Sequence, residues 1–284
     1  MGERRSEITG YRGERTLSDR IEANRRQWAE RLAVHLASGF YDVAAFKAGR
    51  TSLRSIELEE VGSVADRDLL HLQCHFGLDT ISWARLGARV TGVDFEPGAI
   101  ETARALADEL EVAGRFVCST IDDLPNALEA EFDIVFASYG VLMWLPDLDR
   151  WAEVVAHFLR PGGTFHLVEF HPVVGALGDT EPTLQPFYFL GGPLRWDHDT
   201  DYANPSHVLE HPSYEWVHRV GEVVNALVGA GLVLESLREH PVAPEQFRPY
   251  MVNDPDDDRW WRIPGDPVPL TYSLRARKLA TPSP

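Results

Sequence analysis

The stretch LHLQCHFGLDT, from Leu70 to Thr80, brings together the residue types best able to do chemistry in this chain. It follows directly on an apolar run and contains a cysteine, a histidine and a single glycine, Gly77. A loop that cradles a pyrophosphate needs glycines in the GxGxxG spacing, so that its backbone can approach the phosphates. Here Cys74 and His75 would obstruct that approach. The loop is therefore suited to a ligand without phosphates.

Cys74 and His75 allow two other interpretations, a nucleophile with its base or a pair of metal ligands. Adjacent residues on a turn do not readily point at one another, and a catalytic dyad normally joins residues distant in the sequence. The two cysteines of the chain have no paired Cys and His spacing typical of a zinc site. We therefore expect no metal, and we interpret Cys74 as a small residue that fills space in the turn.

Asp94 ends the next apolar run, ARVTGVD, and is the second residue of interest. An acid at this place in a nucleotide-binding fold can accept hydrogen bonds from both hydroxyls of a ribose, which predicts an adenosine-type ligand. The alternative is that Asp94 only caps the helix that EPG opens, because an acid is favourable at the positive end of a helix.

Around these residues the chain alternates short apolar runs with amphipathic stretches, which is typical of a parallel sheet wrapped by helices. In such a sheet ligands bind outside the carboxyl ends of the strands, where the loop and Asp94 would meet. The predicted elements are DLLHLQ, a helix from Asp79 to Leu86, ARVTGVD, a helix from Pro97 to Leu110, GRFVCS, FDIVFAS, a helix from Leu148 to Leu159 that the breaker RPGG closes, and TFHLVEF.

The flanking segments differ in texture from this core. A helical pattern from Leu17 to about Phe46 includes Trp28, Leu32 and Leu36, which we expect to pack as an apolar stripe. After the core, a segment crowded with proline, glycine and aromatic residues predicts a folded cap over the carboxyl edge of the sheet. The predicted segments are an N-terminal helical extension (1–66), the ligand-binding core (67–172), the cap insertion (173–216) and a C-terminal helix and strands that complete the sheet (217–284).

Three longer stretches, HLQCHFGLDTISWARLGARVTGVDFE, SYGVLMWLPDL and FLRPGGTFHLVEFHP, resemble class I S-adenosylmethionine-dependent methyltransferases. The resemblance is to a bacterial small-molecule subgroup whose loop reads LQCHFG, and it covers about Leu69 to His171 together with the last helix and strands. It implies an α/β fold, a doubly wound Rossmann-like seven-stranded sheet with an antiparallel last strand. The N-terminal extension precedes this sheet, and the cap follows its fifth strand. S-adenosyl-L-methionine, which has a ribose and no pyrophosphate, is the implied cofactor.

The resemblance also implies the cofactor site. The loop would face the methionine moiety, Asp94 would hold the ribose beside Phe95, and residues after the third strand would recognise adenine. Ser138 would wall the methyl group and Tyr41 of the extension would close over the cofactor. The acid that the family has before the loop is replaced by His71 or Gln73, so the ammonium ligand is not identified. The implied cofactor-binding residues are Gln73, Cys74, His75, Gly77, Asp94, Phe95, Thr120, Ile121, Asp122, Ser138 and Tyr41.

Three residues at the ends of the fourth and fifth strands are candidates for catalysis. His171 or Glu169 could take a proton from an attacking hydroxyl or amine, although either could equally be a satisfied structural group. Tyr139 would line the methyl-transfer pocket. The aromatic residues of the cap could form a small core under it, or could stack on a flat or amine-containing substrate.

Composition narrows the partners. The net charge is −17, from 44 acidic and 27 basic residues, and this disfavours a nucleic-acid partner because phosphate binding needs clustered positive charge. No apolar run reaches the roughly 20 residues that a membrane span needs, and the N-terminus has no secretory pattern, so we expect a cytoplasmic protein. The sequence gives no oligomeric state.

The resemblance implies a methyltransferase that acts on an oxygen, nitrogen or electron-rich carbon atom of a small metabolite, and the aromatic residues of the cap favour an aromatic or amine-containing one. The alternatives are a non-catalytic S-adenosylmethionine-binding protein and a methyltransferase acting on RNA or protein. A nicotinamide-dependent oxidoreductase is disfavoured because the GxGxxG turn is absent from the loop.

Overall fold

The computed structural model describes residues 16–190, 192–197 and 199–280, so residues 1–15 of the predicted extension lie outside the described residues. The helices are α1 (Leu17–Ala37), α2 (Val43–Lys47), α3 (Ser55–Val61), α4 (Leu78–Arg85), α5 (Pro97–Glu109), α6 (Leu124–Ala127), α7 (Leu148–Phe158), α8 (Val173–Ala176) and α9 (Val220–Gly229). The strands are β1 (Asp68–Leu72), β2 (Arg89–Asp94), β3 (Arg115–Cys118), β4 (Phe132–Ser138), β5 (Leu159–Phe170), β6 (Leu194–Trp196), β7 (Ser213–Glu215), β8 (Leu232–His240), β9 (Val242–Ala243), β10 (Val252–Asn253), β11 (Trp261–Arg262) and β12 (Thr271–Lys278). None of the helices in these ranges is long and apolar enough to cross a membrane.

Seven strands form the main sheet, in the order β3-β2-β1-β4-β5-β12-β8. Strands β1 to β5 run parallel to one another, and β12 runs antiparallel between β5 and β8. The prediction of an α/β, doubly wound sheet with an antiparallel last strand is confirmed. The strand order reverses between β1 and β4, and the crevice at their carboxyl ends is where such folds bind ligands.

Helices cover both faces of this sheet, which explains why its central strands are apolar on both faces. In β4, FDIVFAS, every residue except Asp133 is buried. One face packs against Trp151 of α7 and Leu227 of α9, and the other packs against Trp83 of α4 and Leu53. This burial fixes the strand ends that carry the candidate site.

The RPGG stretch lies inside β5, which begins at Leu159 directly after α7. Gly162 has a φ of +84°, and a Cβ on Gly163 would come within 3.0 Å of the carbonyl oxygen of Phe132. The register against β4 shifts between Phe132 and Ile134, so the segment is an irregular start of the strand. The helix ends before RPGG, as predicted, but the strand begins at Leu159 and not at Thr164, because these glycines permit an irregular backbone before regular pairing resumes.

Helix α1 docks through a polar face, and it ends at Ala37, well before the separate short helix α2. Leu32 packs against the core, but Leu36 is 37% exposed, so the predicted apolar stripe holds only in part. The side chain of Asn24 both donates to and accepts from the backbone of Tyr214 in β7, at 2.8 and 2.7 Å. The buried residues of α1 are Ala23, Asn24, Gln27, Arg31 and His35.

The cap region contains α8 and the antiparallel pair β6 and β7. A second small sheet, in the order β10-β11-β9, lies in the chain between β8 and β12, and the sequence did not predict it. Its strands have two residues each, which is too short to show an alternating pattern.

Candidate cofactor and methyl-transfer site

The loop after β1 has three residues with positive φ, and only one of them is a glycine. Gln73 and His75 have φ values of 56° and 50°, in the left-handed region that non-glycine residues seldom adopt, and Gly77 has a φ of 85°. A Cβ on Gly77 would lie 2.9 Å from the Cβ of Ala103 and 3.0 Å from the ring of Phe116. Glycine is therefore required where the loop enters α4.

Cys74 is a buried filler, as the sequence suggested. Its Sγ lies so close to Gly92 that a Cβ there would be 2.9 Å away, and its backbone N–H donates to the Val93 carbonyl at 2.8 Å. Burial, and then the charge of Asp94, raise the pKa of the Cys74 thiol well above its ordinary value. A neutral thiol in this position is a poor nucleophile.

Asp94 lies at the carboxyl end of β2 beside the loop. Its Oδ2 accepts a hydrogen bond from the backbone N–H of His75 at 2.8 Å, and its Oδ1 accepts from the N–H of Glu96 at 3.0 Å. Burial raises the pKa of this carboxyl to about 6. A carboxylate has about four lone-pair sites, so about two remain free for ribose hydroxyls.

The helix-cap alternative for Asp94 is contradicted, because Glu96 performs that function. The carboxylate of Glu96 accepts hydrogen bonds from the N–H groups of Gly98 and Ala99 in the first turn of α5. Asp94 is therefore released from capping and lines the cavity with Phe95.

A second carboxylate, Asp79 in the first turn of α4, lies at the other end of the loop. Its Oδ2 accepts from the hydroxyl of Ser138 at 3.1 Å, and both residues line the cavity. The side-chain nitrogen of Gln73 donates to the Val141 carbonyl at 2.8 Å, while its Oε1 is buried and has no partner among the described residues. Asp79 and the free Oε1 of Gln73 are thus two acceptors suited to a cation.

Two buried titratable side chains lie near Asp79, namely His71 and Glu57, and the sequence did not single out Glu57. Glu57 of α3 is 1% exposed, and burial together with the charge of Asp79 raises its pKa to about 7. Burial lowers the pKa of His71 to about 4, and its Nδ1 lies 2.8 Å from the hydroxyl of Thr80. His71, one of the two residues that could take the place of the family's acid, is therefore a neutral buried group in the sheet.

Glu169, a predicted catalytic residue, is occupied by the backbone of the loop after β4. Its carboxylate accepts from the N–H groups of Gly140, Val141 and Leu142, and from that of Phe170. Burial raises its pKa, against these four bonds that lower it. The geometry assigns Glu169 to holding the loop, and it contradicts the expectation of a free base.

His171 is likewise engaged elsewhere, and the hydroxyl of Tyr139 is buried. The Nδ1 of His171 accepts from the N–H of Val173 at 3.2 Å, which places the proton on Nε2, 3.1 Å from the carboxylate of Glu239. With both ring nitrogens occupied, His171 is poorly placed to accept a proton from a substrate. Tyr139, at a φ of 39°, has its hydroxyl buried near Glu57, and burial with that charge raises its pKa well above the ordinary value.

The predicted adenine residues lie outside the cavity wall. The hydroxyl of Thr120 donates to the carboxylate of Asp123 at 3.1 Å, the side chain of Ile121 packs in the core, and Asp122 is exposed. The turn-forming acid of this stretch is thus Asp123. For adenine there remain the backbone and the carboxylate of Asp122, and this contact stays a prediction.

The lid of the cavity is built from two distant parts of the chain. Tyr41, after α1, shares a short hydrogen bond with Tyr202 of the cap through their hydroxyl groups. His35 of α1 lies between His75 of the loop and Asp201 of the cap, at 2.8 and 3.0 Å. His75 and Tyr41 were predicted as site residues, but their contacts were not, because these join positions 40 to 166 residues apart.

The cavity enclosed by these elements measures about 900 Å³. One part is lined by the loop, Asp94 and Phe95, and another by the cap and the small sheet. The walls of the second part are largely aromatic, and the rings of Phe170 and Phe247 meet there at 4.8 Å. Further aromatic residues of this part are Tyr139, Trp144, Phe187, Trp196, Trp216 and Trp261.

Comparison with known proteins agrees with this geometry. Residues 69–163 match a family model described as a methyltransferase domain. A ubiquinone biosynthesis O-methyltransferase of Xylella fastidiosa is 29% identical over 148 residues, which cover 51% of this chain and 60% of the relative. One from Alkalilimnicola ehrlichii is 33% identical over 103 residues, which cover 36% and 41%. The chain thus spans at most 60% of the length of these two relatives.

Solved structures share the fold at low sequence identity. An S-adenosylmethionine-dependent methyltransferase from Mesorhizobium loti superposes with a TM-score of 0.56 at 20% identity, covering 81% of this chain and 99% of that one. One from Methanosarcina mazei superposes with a TM-score of 0.52 at 18% identity, covering 81% and 99%. Residues 69–163 thus match a methyltransferase domain, and the chain shares the fold of these solved methyltransferases, in agreement with the resemblance of its sequence.

Proposed function

We propose that this protein transfers a methyl group from S-adenosylmethionine to a small molecule, and that an oxygen atom of an aromatic acceptor is its main target. The observation that carries the proposal is the environment of Asp94. Its two oxygens each accept one backbone hydrogen bond, and Asp94 lines a cavity beside a loop that lacks the GxGxxG glycines of a pyrophosphate site. A ribose with two free hydroxyls suits the remaining lone pairs.

The other end of the loop fits the amino-acid part of the cofactor. Asp79 presents a partly exposed carboxylate, and the buried Oε1 of Gln73 lacks a partner among the described residues. An ammonium group needs acceptors on several sides. Asp79 and Gln73 would therefore bind the ammonium group in place of the acid that the family carries before the loop.

The second part of the cavity supports an aromatic acceptor. The rings of Phe170 and Phe247 meet edge to face, with an interplanar angle of 87°, and they give this part of the cavity aromatic surface against which another ring can pack. Two of the chain's curated relatives are named as O-methyltransferases, which favours oxygen over nitrogen or carbon. The net charge of −17 disfavours an RNA acceptor.

The bound cofactor would supply a methyl group already activated by the positive charge on sulfur. The residues of the chain would then act mainly by position: Asp94 fixes the ribose, Phe95 flanks the adenosine, and Glu169 holds the wall that Ser138 and Tyr139 begin. Holding the two reactants in line replaces a bimolecular encounter by an intramolecular step, and this removes a large part of the activation barrier. The lid of α1 and the cap would exclude water.

Two measurements test the proposal. Calorimetry should show that S-adenosylmethionine and S-adenosylhomocysteine bind, and incubation with a panel of phenols and amines should produce S-adenosylhomocysteine. Binding without turnover on any member would favour the non-catalytic alternative. Failure of both nucleosides to bind would refute the proposal.

A further inference from the structure

Three side chains from different parts of the chain form a continuous hydrogen-bonded row above the cofactor loop. Asp201 of the cap lies 3.0 Å from the Nε2 of His35, and the Nδ1 of His35 lies 2.8 Å from the Nε2 of His75. Asp201 and His35 are both completely buried. The direct contact between the ring nitrogens leaves no space for a metal ion between them.

The order of donors along this row follows from the charge of Asp201. Arg31 lies 3.1 Å from the same Oδ2, and the N–H groups of Ala203 and Asn204 donate to Oδ1. Although burial opposes it, hydrogen bonding with His35 and the charge of Arg31 lower the pKa of Asp201. The carboxylate therefore accepts from the Nε2–H of His35, whose Nδ1 is left as an acceptor.

His75 must then donate through its Nε2–H, and its Nδ1 carries a lone pair. This Nδ1 has no hydrogen-bond partner among the described residues and is not sealed from solvent, and His75 lines the cavity. Burial, with the charges of His35 and Arg31, lowers the pKa of His75 well below its ordinary value. A neutral imidazole thus presents an acceptor to the cavity.

Other charged and titratable side chains surround the row. Asp199 lies 3.9 Å from Arg31, and Tyr41 and Tyr202 pack their rings against His35. Asp94 is bound to the backbone of His75, and Glu245 acts on both tyrosines. Burial raises the pKa of both tyrosines, so they stay neutral.

We propose that His75 is the proton acceptor for the methyl-accepting group, and that His35 and Asp201 hold it in the required tautomer and take up the resulting charge. This inference rests on the proposed function. His171 and Glu169, the residues expected in that role, have their polar atoms engaged elsewhere, and the hydroxyl of Tyr139 is buried. His75 has an open nitrogen on the cavity side.

The step balances within the row. The O–H or N–H bond of the acceptor breaks and its proton binds the Nδ1 of His75, while the Nε2 proton of His75 passes to the Nδ1 of His35. The electron pair left on the acceptor forms the bond to the methyl carbon, and the pair of the broken sulfur–carbon bond returns to sulfur. His35 ends as an imidazolium paired with Asp201, so no positive charge remains on the loop.

The test is a pH titration of protein with ¹⁵N-labelled histidine, followed by NMR with and without S-adenosylhomocysteine. At neutral pH we expect His35 and His75 both to carry their proton on Nε2. On acidification His35 should gain its second proton while His75 changes from the Nε2–H to the Nδ1–H tautomer, in one coupled transition. A proton on the Nδ1 of His75 at neutral pH, or His75 becoming an imidazolium while His35 does not change, would overturn the inference.

Variants sharpen this result. Asp201→Asn should lower the midpoint of the coupled transition by about one to two pH units, the size of a lost charge-assisted hydrogen bond. Glu30→Gln is the matched control, since Glu30 also joins α1 to the cap but bonds near residues 207–211. It should leave the midpoint unchanged, and equal midpoints for both variants would contradict the proposal.

Turnover provides the last readout. With an acceptor from the phenol and amine panel, His75→Gln should lower kcat at least about 100-fold, the usual contribution of a general base, and change the S-adenosylhomocysteine affinity less than about threefold. An unchanged kcat would refute the role of His75. If the nucleosides do not bind at all, the proposed function fails, while the titration of the free protein still decides whether the row exists.

Discussion

The backbone N–H of His75 donates a hydrogen bond of 2.8 Å to the Oδ2 of Asp94, and this contact joins the cofactor loop to the acid that ends β2. It holds one carboxylate oxygen in place while leaving part of its lone pairs open to the cavity. The left-handed backbone of His75, with a φ of 50°, is what points this N–H towards the strand end. The ribose site is therefore organised before any ligand arrives.

Asp94→Ala should weaken the binding of S-adenosylhomocysteine by about 10- to 100-fold, since hydrogen bonds to a charged group contribute about 1.5–3 kcal/mol together with their desolvation cost. Isothermal titration calorimetry measures this directly. Asp108→Ala on the outer face of α5 is the control and should bind as the parent does. Equal affinities for the Asp94 variant and the parent would remove Asp94 from the site.

Cofactor affinity should also depend on pH through the same carboxyl. Burial raises the pKa of Asp94 to about 6, and only the ionised form can accept from both ribose hydroxyls. Affinity should therefore be lost as the pH falls through about 6 and be constant well above it. Calorimetry between pH 5 and pH 8 tests this, and an affinity that is flat across this window, or that rises on acidification, would contradict the assignment.

Gly77→Ala should destabilise the loop. A side chain at a φ of 85° costs roughly 1–2 kcal/mol, and the new Cβ would lie 2.9 Å from Ala103 and 3.0 Å from Phe116. We expect a loss of about 2 kcal/mol or more in the free energy of unfolding, measured by urea denaturation. Gly231→Ala, at a φ of 83° with nothing within 4 Å of the added Cβ, is the control and should cost less. Equal losses would mean that packing at Gly77 is unimportant.

Glu169→Ala should act on stability more than on proton transfer. Four backbone N–H groups lose their acceptor, and we expect the free energy of unfolding to fall by about 3 kcal/mol or more. Urea denaturation measures the loss. If the variant were as stable as the parent but failed in turnover, the base role first expected from the sequence would be restored.

The core of the fold follows from sequence patterns, and its limits have physical causes. Strands β1, β2 and β4 are buried on both faces and read as apolar runs, so the sheet and the positions of Gly77 and Asp94 could be predicted. The irregular start of β5 at RPGG could not be predicted, because glycines that permit a bulge look the same in the sequence as glycines that follow the end of a helix. The two-residue strands of the small sheet carry no period at all.

The predicted site is less complete than the predicted fold. The sequence did not predict His35 as a site residue, because α1 buries a polar face, whereas a packed helix usually shows an apolar face in its sequence. Its partners His75 and Asp201 are 40 and 166 positions away, and no local pattern relates them. His171 and Glu169 were placed correctly at a strand end, but their hydrogen bonds to the loops depend on tertiary structure. The positions of these residues could be predicted, but whether their polar atoms are free to bind a substrate could not.

The most direct test of the account is a crystal structure of the protein with S-adenosylhomocysteine. It should show both ribose hydroxyls on the carboxylate of Asp94, the amino group beside Asp79 and Gln73, and the sulfur facing the aromatic part of the cavity. A nucleoside bound elsewhere, or a ribose without contact to Asp94, would contradict the proposed site.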